Sequence, residues 1–314
     1  MEPVRDEKIL KGGCYLEYVE FLEEIRLHVQ QRISGKLKVS VNRVLKNNRK
    51  YADSMTILGE GDNIAPAIYL NPLYEQYKRG STIDEIADEI AKHYGQSSMG
   101  GTIDLSFYSD YEKVRDHLAC KLINYERNRH ILEKVPHCRY LDLSVVYYCR
   151  MDHPMIGKGN ILVQNAHLKL WDVEAGELHD AAMTNTVRLC PYELIAISDM
   201  LENMLGVKIT GEEARQLPMY VLTNAEKYFG AVNIIFDSIL EAISEKLDSD
   251  FYVLPSSIHE CMIVPVLDGL KVEDLHQMVH DINAEHVALE EILGESVYCY
   301  RRDEKKLSIV WEEQ

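Results

Sequence analysis

Between Met219 and Trp311, apolar and polar positions are arranged in blocks that predict a repeated structural unit. Each block has two short apolar runs joined by a polar turn, followed by apolar residues spaced three and four apart, and the order occurs twice at an offset of 32 residues. Such runs predict antiparallel strands, and the wider spacing predicts amphipathic helices. The strands are predicted at 219–224, 231–236, 251–256 and 261–266, and the helix stripes are Ile239, Ile243 and Leu247, then Leu275, Val279 and Ile282.

A final hairpin, at 297–300 and 307–311, is predicted to complete this region. The predicted order of the whole region is therefore ββα-ββα-ββ. Because each strand pair returns to the side where it began, we expect both helices to cover one face of the sheet. The predicted fold class is α+β, with antiparallel sheets and helices on one face.

The first 95 residues predict a separate α-β-β-β-α domain. Its predicted elements are a helix at 15–33, strands at 37–42, 55–58 and 64–70, a short helix from Asn71, and a longer helix capped by Ser81 or Thr82. The run at 96–102 is rich in Gly and Ser, which is the composition of a flexible linker. We therefore predict a boundary there, between domains at 1–95 and 103–314.

Residues 103–314 predict a larger α+β domain of hairpin–helix units. Ahead of the repeat, the pattern predicts a strand at 103–107, a mostly helical stretch at 110–133, a strand at 139–150 paired with 161–170, and helices at 173–187 and 191–205. Pro191 suits the first turn of the last of these helices, where its missing N–H group is not needed.

The composition indicates a folded protein of the cytoplasm. Hydrophobic residues make up 46% of the 314 positions, and no apolar run approaches the ~20 residues that cross a bilayer. The first residues lack the basic and then apolar order of a signal peptide. The seven cysteines are odd in number and scattered, which is typical of reduced thiols. We expect a cytoplasmic location and no membrane partner.

The charge of the chain is unevenly distributed. The net charge of −17 disfavours general nucleic-acid binding, because phosphates would be repelled. Yet the first 50 residues hold eleven Lys and Arg against seven Asp and Glu, and residues 36–50 contain no Asp or Glu. Lys38, Arg43 and Lys46 in this basic strip are therefore candidate contacts for an acidic macromolecular partner. Alternatively, the strip pairs with acidic groups of its own chain or faces water.

Glu273, His276 and His280 are candidate metal ligands on the second repeat helix. His-x-x-x-His places two imidazoles one turn apart, which is the spacing with which a helix binds zinc, and a carboxylate one turn earlier could complete the set. Leu275 and Val279, however, form the buried stripe, so the histidines are expected to face solvent. A solvated helix face is the favoured interpretation, and we predict no metal and no cofactor.

A second set of metal-binding residue types consists of His117, Cys120, His137 and Cys138. Two histidines and two cysteines are the number found in a zinc finger. Adjacent side chains on an extended chain point to opposite faces, so His137 and Cys138 are not expected to bind one ion.

His259 and Glu260 are candidate catalytic residues in the turn between two predicted strands. The segment 255–260 combines hydroxyl, imidazole and carboxylate groups, and Cys261 follows it, so one interpretation is a Ser–His or Cys–His hydrolase site. The other is an ordinary hairpin turn, which uses such residues for backbone reasons. The sequence contains neither a Gly-x-Ser-x-Gly elbow nor a phosphate-binding loop.

Six segments spread over the chain carry a resemblance to a known family. They are Arg-Val-Leu-Lys-Asn-Asn at 43–48, Ile-Tyr-Leu-Asn at 68–71, Lys-Leu-Ile-Asn-Tyr-Glu at 121–126, Arg-Tyr-Leu-Asp-Leu at 139–143, Met-Tyr-Val-Leu-Thr-Asn at 219–224 and Phe-Tyr-Val-Leu-Pro-Ser-Ser at 251–257. The chain resembles an uncharacterised family, defined by a domain of unknown function, of cytosolic proteins from Gram-positive gut bacteria, often found on mobile elements. From about residue 103, including Gly230-Ala231, it also resembles a second uncharacterised family of bacilli. Neither resemblance implies an activity or a functional residue.

Together, these patterns favour a non-enzymatic binding or regulatory protein that acts on a macromolecular partner, and a protein is the expected partner. The alternative is a hydrolase that uses the His259–Glu260 turn or a metal site at Glu273, His276 and His280. The zinc content of the purified protein would help to separate the two hypotheses.

Overall fold

The structure is a computed structural model that describes residues 15–33, 36–60, 67–96, 106–153, 157–205 and 218–311. Within these ranges the chain is α+β and its sheets are antiparallel, which confirms these two parts of the predicted fold class. The chain divides into two compact units. The first contains the described residues up to Leu45 and from Tyr51 to Gln96, and the second contains Lys46–Lys50 and the described residues from Ser106 onward. None of the described helices combines the length and the apolar character that crossing a bilayer requires.

The first unit packs three helices against a three-stranded sheet. Its elements in chain order are α1 (Tyr18–Arg32), β1 (Lys38–Leu45), β2 (Tyr51–Leu58), β3 (Ile68–Tyr69), α2 (Leu70–Lys78) and α3 (Ile83–Gln96). The strand order is β1-β2-β3, so β1 lies at an edge among the described strands. The buried apolar residues that join the helices to the sheet are Phe21, Ile25, Val29, Val39, Met55, Ile57, Leu70, Ile86, Ala87 and Ile90.

Helix α3 begins at the cap that the sequence predicts. The Thr82 N–H group donates to Glu85 Oε2 (2.8 Å), and the Glu85 N–H group donates to Thr82 Oγ1 (3.2 Å). This reciprocal pair is a capping box, which satisfies two N–H groups that the first helical turn leaves without partners.

Two predictions for the first 102 residues fall partly outside the described residues. Of the strand predicted at 64–70, the described part is a strand only at Ile68–Tyr69, because Leu70 already begins α2. Of the linker predicted at 96–102, only Gln96 is described, and it ends α3. The predicted division of the chain at 96–102 therefore stays a prediction.

The second unit contains a four-stranded and a six-stranded sheet. Its elements in chain order are α4 (Tyr111–Val114), β4 (Leu118–Asn124), α5 (Arg129–Leu132), β5 (His137–Tyr140), β6 (Leu143–His153), β7 (Gly157–Leu162), α6 (Asn165–Trp171), α7 (Ala175–Leu189), β8 (Tyr192–Ala196), α8 (Ile197–Leu205), β9 (Tyr220–Asn224), α9 (Asp237–Leu247), β10 (Phe251–Leu254), β11 (Cys261–Pro265), α10 (Val272–His286), β12 (Val297–Arg301) and β13 (Lys306–Trp311). In the smaller sheet β6 pairs with β4 on one side and with β5 and β7 on the other. The larger sheet has the order β13-β12-β10-β11-β9-β8.

The prediction of a mostly helical stretch at 110–133 is wrong at its centre, although residues 111–117 and 126–132 are helical. The centre of this stretch is the strand β4, which pairs with β6 from Leu118 to Asn124. All residues of β4 except Lys121 are buried, so the strand shows no alternation of apolar and polar residues. A run that is buried on both faces cannot be distinguished from a buried helix by its period alone.

The long strand predicted at 139–150 is interrupted, and its predicted partner is shorter than expected. Strands β5 and β6 are separated by a turn in which Leu141 has a φ of 54°, a left-handed conformation. β6 does pair with β7, but β7 ends at Leu162, and the rest of the predicted strand at 161–170 is largely the helix α6. The helix predicted at 191–205 is likewise wrong at its start, because Pro191 precedes the strand β8 and α8 begins only at Ile197.

The first predicted hairpin of the repeat is also wrong. Residues Gly230–Ile235 form a 3-10 helix instead of a strand, and β9 pairs with β8 and β11. At Gly230 a Cβ atom would lie 2.6 Å from Thr223 Oγ1 and 2.7 Å from His259 O, so only glycine allows this approach. The Asn233 side chain donates to the carbonyl oxygens of Thr223 and Gly230, both at 2.9 Å. These bonds stabilise a compact turn in a continuously buried segment.

The two repeat helices cover opposite faces of the six-stranded sheet, although one common face was expected. Ile239 and Ile243 of α9 pack in the cluster that contains Phe251 and Val253, whereas Leu275 and Val279 of α10 pack with Leu254 and Val264. Neighbouring residues of a strand point to opposite faces, so the clusters lie on different sides. The hairpins β10–β11 and β12–β13 and the helix α10 occur where the pattern predicts them.

Candidate functional site

Two of the three predicted partner-binding residues lie on β1, and the third belongs to the other unit. Lys38 is exposed on β1, on the face opposite the buried Val39. Arg43 follows Val39 by four positions, so its side chain lies on the same face as that of Val39, opposite Lys38. Lys46 belongs to the second unit, where its Nζ atom is 3.7 Å from Glu290 Oε1. Lys38 and Arg43 thus flank, from its two faces, the free edge of β1, which is the side that pairs with no other strand among the described residues.

Arg43 already has an acidic partner within its own unit. Its Nε atom donates to Asp53 Oδ1 (3.2 Å), and its Nη2 atom donates to Asp53 Oδ2 (3.4 Å). The hydrogen bond to Asp53 raises the pKa of Arg43. The Asp53 side chain is only 6% exposed, whereas that of Arg43 is 59% exposed. The guanidinium group therefore neutralises a buried carboxylate and still presents much of its surface to solvent.

A glutamine side chain occupies the first part of the free edge of β1. Gln30, on α1, accepts a hydrogen bond from the Val39 N–H group and donates one to the Leu37 carbonyl, both at 2.9 Å. A neighbouring strand would make the same two bonds with the main chain. Sequence reasoning did not single out Gln30, because it lies 9 residues from Val39 and only the packing of α1 brings the two together.

Of the three candidate metal ligands, His276 and His280 both lie near Glu295, whereas Glu273 does not contribute the neighbouring carboxylate. His276 Nδ1 is 3.2 Å from the Glu295 carbonyl oxygen, and its ring stacks on Trp311 with the centroids 3.3 Å apart. His280 Nδ1 is 3.2 Å from Glu295 Oε2, and its side chain is 54% exposed. The expectation of solvent-facing histidines therefore describes His280 but not His276, which is half-buried. Glu273 is exposed, and the carboxylate beside His280 comes from Glu295 instead.

Arg127 also contacts Glu295, with a guanidinium nitrogen 3.7 Å from Oε1. The same carboxylate thus lies between an imidazole and a guanidinium group. Among the residues that the structure describes, no three His, Cys, Asp or Glu side chains are grouped so that they could hold a metal ion.

His259 makes structural contacts with the loop that follows β9. The Phe229 N–H group lies 3.2 Å from His259 Nδ1, and the two rings are nearly parallel at 4°. His259 Nε2 is 3.5 Å from Glu291 Oε1, and Glu260 is exposed. Cys261 is fully buried, and burial raises the pKa of its thiol. The geometry gives His259 a role in joining two loops, and the hydrolase site at this turn stays a prediction.

A cavity of about 1030 Å³ opens beside the hairpin β6–β7 and is lined by Arg150, Tyr148 and Tyr228, among others. The Arg150 guanidinium group in its wall donates to Glu226 (2.5 Å) and to the Leu189 carbonyl (3.2 Å). The positive charge in this wall is therefore already paired within the chain.

Three of the segments that carry the family resemblance meet around residues 289–298 in the second unit. Asn48 donates to the Leu289 and Ile292 carbonyl oxygens (2.8 and 2.7 Å), and Asn124 donates to that of Leu293 (3.1 Å). Asp142 accepts from the hydroxyl groups of Ser296 (2.7 Å) and Tyr298 (2.5 Å). Asn48, Asn124 and Asp142, which belong to the segments that resemble the family, therefore hold residues 289–298 in place.

Comparison with known proteins identifies the family of the chain. No curated protein and no solved structure matches the chain. A family model described as a family of unknown function matches residues 18–302, which include nearly all of both units. The chain therefore belongs to this family, the family of unknown function DUF5688.

Proposed function

We propose that this chain is a non-enzymatic binding protein that takes an extended, acidic segment of a partner protein at the free edge of β1. The observation that carries the proposal is the pair of hydrogen bonds between Gln30 and the groups of Leu37 and Val39. They imitate the pairing of a neighbouring strand at one end of an eight-residue strand. A peptide strand can make the same bonds along the rest of the edge.

The backbone groups needed for such pairing point away from β2, within the plane of the sheet. In an antiparallel strand the N–H and C=O groups of one residue point to one side, and successive residues alternate. Because Gln30 binds the outer groups of Leu37 and Val39, the outer groups further along belong to Val41 and Arg43. Among the described residues, no hydrogen bond occupies these groups. An edge of this kind is a template for strand addition.

The charge flanking the edge favours an acidic partner. Lys38 and Arg43 lie on opposite faces of β1, and the side chains of an added strand would alternate between the same two faces. Side chains on adjacent strands interact at about 5 Å, so Asp or Glu at suitable positions could reach both cations. Lys46, the third predicted contact, lies in the second unit beside Glu290 and is not needed for this mode of binding.

A different role for the same residues is protection of the edge. Charged side chains on edge strands hinder the pairing of one copy of a protein with another. In that case Lys38 and Arg43 would keep the protein from self-association, and no peptide would be bound.

A displayed library of randomised peptides as long as β1, eight residues, would test the proposal. We expect enriched peptides to carry Asp or Glu and to lack Pro. Val41→Pro should weaken their binding by at least about tenfold, because it removes an outward N–H group but no bond to β2. Val41→Ala is the matched control, since it shortens the same side chain and keeps the N–H group.

A charge variant and the salt dependence complete the test. Lys38→Gln should weaken binding and make the affinity less sensitive to ionic strength, because one screened charge pair is lost. The proposal fails if Val41→Pro binds the enriched peptides as tightly as the wild type. Protection of the edge would instead be supported if no peptide is enriched and Lys38→Gln self-associates.

The cellular location and the source of the protein are also part of the proposal. We infer a cytoplasmic location in a bacterium, which the scattered and odd number of cysteines and the family resemblance support. Carriage on mobile elements in Gram-positive gut bacteria and the likeness to a second family of bacilli are expectations of the same kind.

A further inference from the structure

Cys138, Tyr147 and His179 form a polar cluster in the second unit, brought together from β5, β6 and α7. The Tyr147 hydroxyl lies 2.8 Å from His179 Nδ1 and 3.3 Å from Cys138 Sγ, to which it can donate. Cys138 Sγ and His179 Nδ1 are themselves 3.9 Å apart. The thiol can therefore reach the imidazole either directly or through one intervening hydroxyl group.

Cys138 differs from the other described cysteines in its access to solvent. It is exposed, whereas the other five are buried, and these are Cys120, Cys149, Cys190, Cys261 and Cys299. Burial raises the pKa of each of the buried thiols. Because the thiolate is the nucleophilic form of cysteine, the buried five are poor nucleophiles.

Tyr147 is suited to the role of a bridge between the other two groups. Its side chain is 1% exposed, so the hydroxyl is fixed between sulfur and imidazole. Burial raises the pKa of Tyr147 above its usual range, and the neighbouring Cys138 acts in the same direction. The hydroxyl therefore keeps a proton near neutral pH and can accept one proton while it donates another.

We propose that Cys138 is a site of reversible thiol modification, at which its sulfur exchanges with a low-molecular-weight disulfide and His179 accepts the thiol proton through the Tyr147 hydroxyl. The Tyr147 hydroxyl first turns its hydrogen from Cys138 Sγ to His179 Nδ1. The thiol proton then passes to the Tyr147 oxygen as the tyrosine proton passes to His179 Nδ1. The Cys138 sulfur attacks one sulfur of the disulfide, whose S–S bond breaks as the new S–S bond forms. The departing thiolate takes up the proton. Cys138 is thereby oxidised to a mixed disulfide, and half of the reagent is reduced to a thiol.

Other polar groups near the cluster define the controls. Asp180, the neighbour of His179 on α7, and the buried Cys120 both lie close enough to influence Tyr147 electrostatically. His137 and Arg139 flank Cys138 on β5, where alternation places their side chains on the opposite face. His137 Nδ1 lies 3.1 Å from the Val135 carbonyl, so its ring has a contact of its own. His137 is therefore a nearby imidazole outside the relay.

The test uses the full chain with glutathione disulfide as the probe. The chain carries Cys14→Ser, because Cys14 is the one cysteine outside the described residues and is removed as a competing thiol. The rate of mixed-disulfide formation is measured by intact mass and the modified residue by peptide mapping. We expect Cys138 to be modified first, and faster than the same cysteine in a synthetic peptide of residues 134–142. His179→Ala and Tyr147→Phe should each slow the reaction by about tenfold or more, because the proton acceptor or its bridge is lost.

The matched control is His137→Ala, for which the rate should stay within about twofold of the wild type because its ring lies outside the relay. Thermal unfolding would verify that each variant folds, and His179→Gln replaces His179→Ala if the latter does not. Equal rates in the wild type, His179→Ala and Tyr147→Phe would overturn the proposal. It would also fail if Cys138 in the folded chain reacts no faster than in the peptide.

Discussion

Asn48 and Asn128 bind each other through two hydrogen bonds inside the second unit. The Asn48 N–H group donates to Asn128 Oδ1 (2.7 Å), and Asn128 Nδ2 donates to Asn48 Oδ1 (3.0 Å). Asn128 is fully buried, and Asn48 has a φ of 55°, a left-handed conformation that asparagine tolerates. This mutual pairing holds Lys46–Lys50 in the conformation in which Asn48 also reaches the Leu289 and Ile292 carbonyl oxygens.

The first prediction concerns this pair. Asn128→Ala should lower the free energy of unfolding by about 1–3 kcal/mol, because it leaves the buried Asn48 N–H group without an acceptor. Urea unfolding followed by circular dichroism measures the change. Asn42→Ala, at an exposed position of β1, is the control and should change stability by under about 0.5 kcal/mol. Similar costs for the two variants would show that the pair contributes little.

Elements with one buried face can be predicted from the period of their apolar residues. Lys38 and Val39 alternate on β1, and Ile239 and Ile243 form the stripe of α9, so the period of the apolar residues indicates the element. The stretches at 118–124 and 230–235 are buried except at Lys121 and Ile235, and such continuous runs fit a strand or a helical turn equally well. Their structure depends on what packs around them, which the local pattern does not contain.

The candidate sites depend even more on tertiary contacts. Alternation predicts that Lys38 is exposed, but nothing in the local sequence indicates that Gln30 reaches the edge of β1. The pairing of Cys138 with His179 joins residues 41 positions apart on a strand and a helix. Such contacts follow from the packing of whole elements, so sequence patterns identify the residue types but not their partners.

The second prediction concerns Arg43. Arg43→Gln should lower the midpoint of thermal unfolding, because it leaves the buried Asp53 carboxylate without its cation. Adding Asp53→Asn to Arg43→Gln should recover part of the loss, whereas Lys38→Gln alone should have little effect. If Arg43→Gln and Lys38→Gln unfold at the same temperature, the ion pair does not stabilise the unit.

The third prediction compares two helix residues. Ile243 on α9 is 1% exposed, so Ile243→Ala should cost about 2–5 kcal/mol through lost contacts and a residual cavity. His280 on α10 is largely exposed, and Glu295 keeps Arg127 as a partner without it. His280→Ala should therefore change stability by under about 0.5 kcal/mol. Chemical denaturation of both variants provides the measurement, and a large loss in His280→Ala would show that its contact with Glu295 is structurally important.

The last prediction concerns Lys121, the half-buried cation of β4. Its Nζ atom lies 4.2 Å from the centroid of the Phe229 ring, and burial lowers its pKa to about 8. Because an unfolded lysine has a pKa of about 10.4, the unfolded chain binds more protons than the folded chain between these two values. In this window the lysine's contribution to the free energy of unfolding should therefore rise with pH, by roughly 1 kcal/mol per pH unit.

Lys121→Met tests this prediction, because methionine has a long, flexible side chain without the charge. Below pH 8 the variant should be more stable than the wild type, since the cost of burying an ammonium group is removed. The difference should shrink as the pH rises to about 10, where the wild-type lysine is neutral when folded. Tyrosine and cysteine titrations affect both proteins equally and cancel in the difference. A stability difference that does not vary from pH 7 to about pH 10 would mean that Lys121 titrates as it does in the unfolded chain.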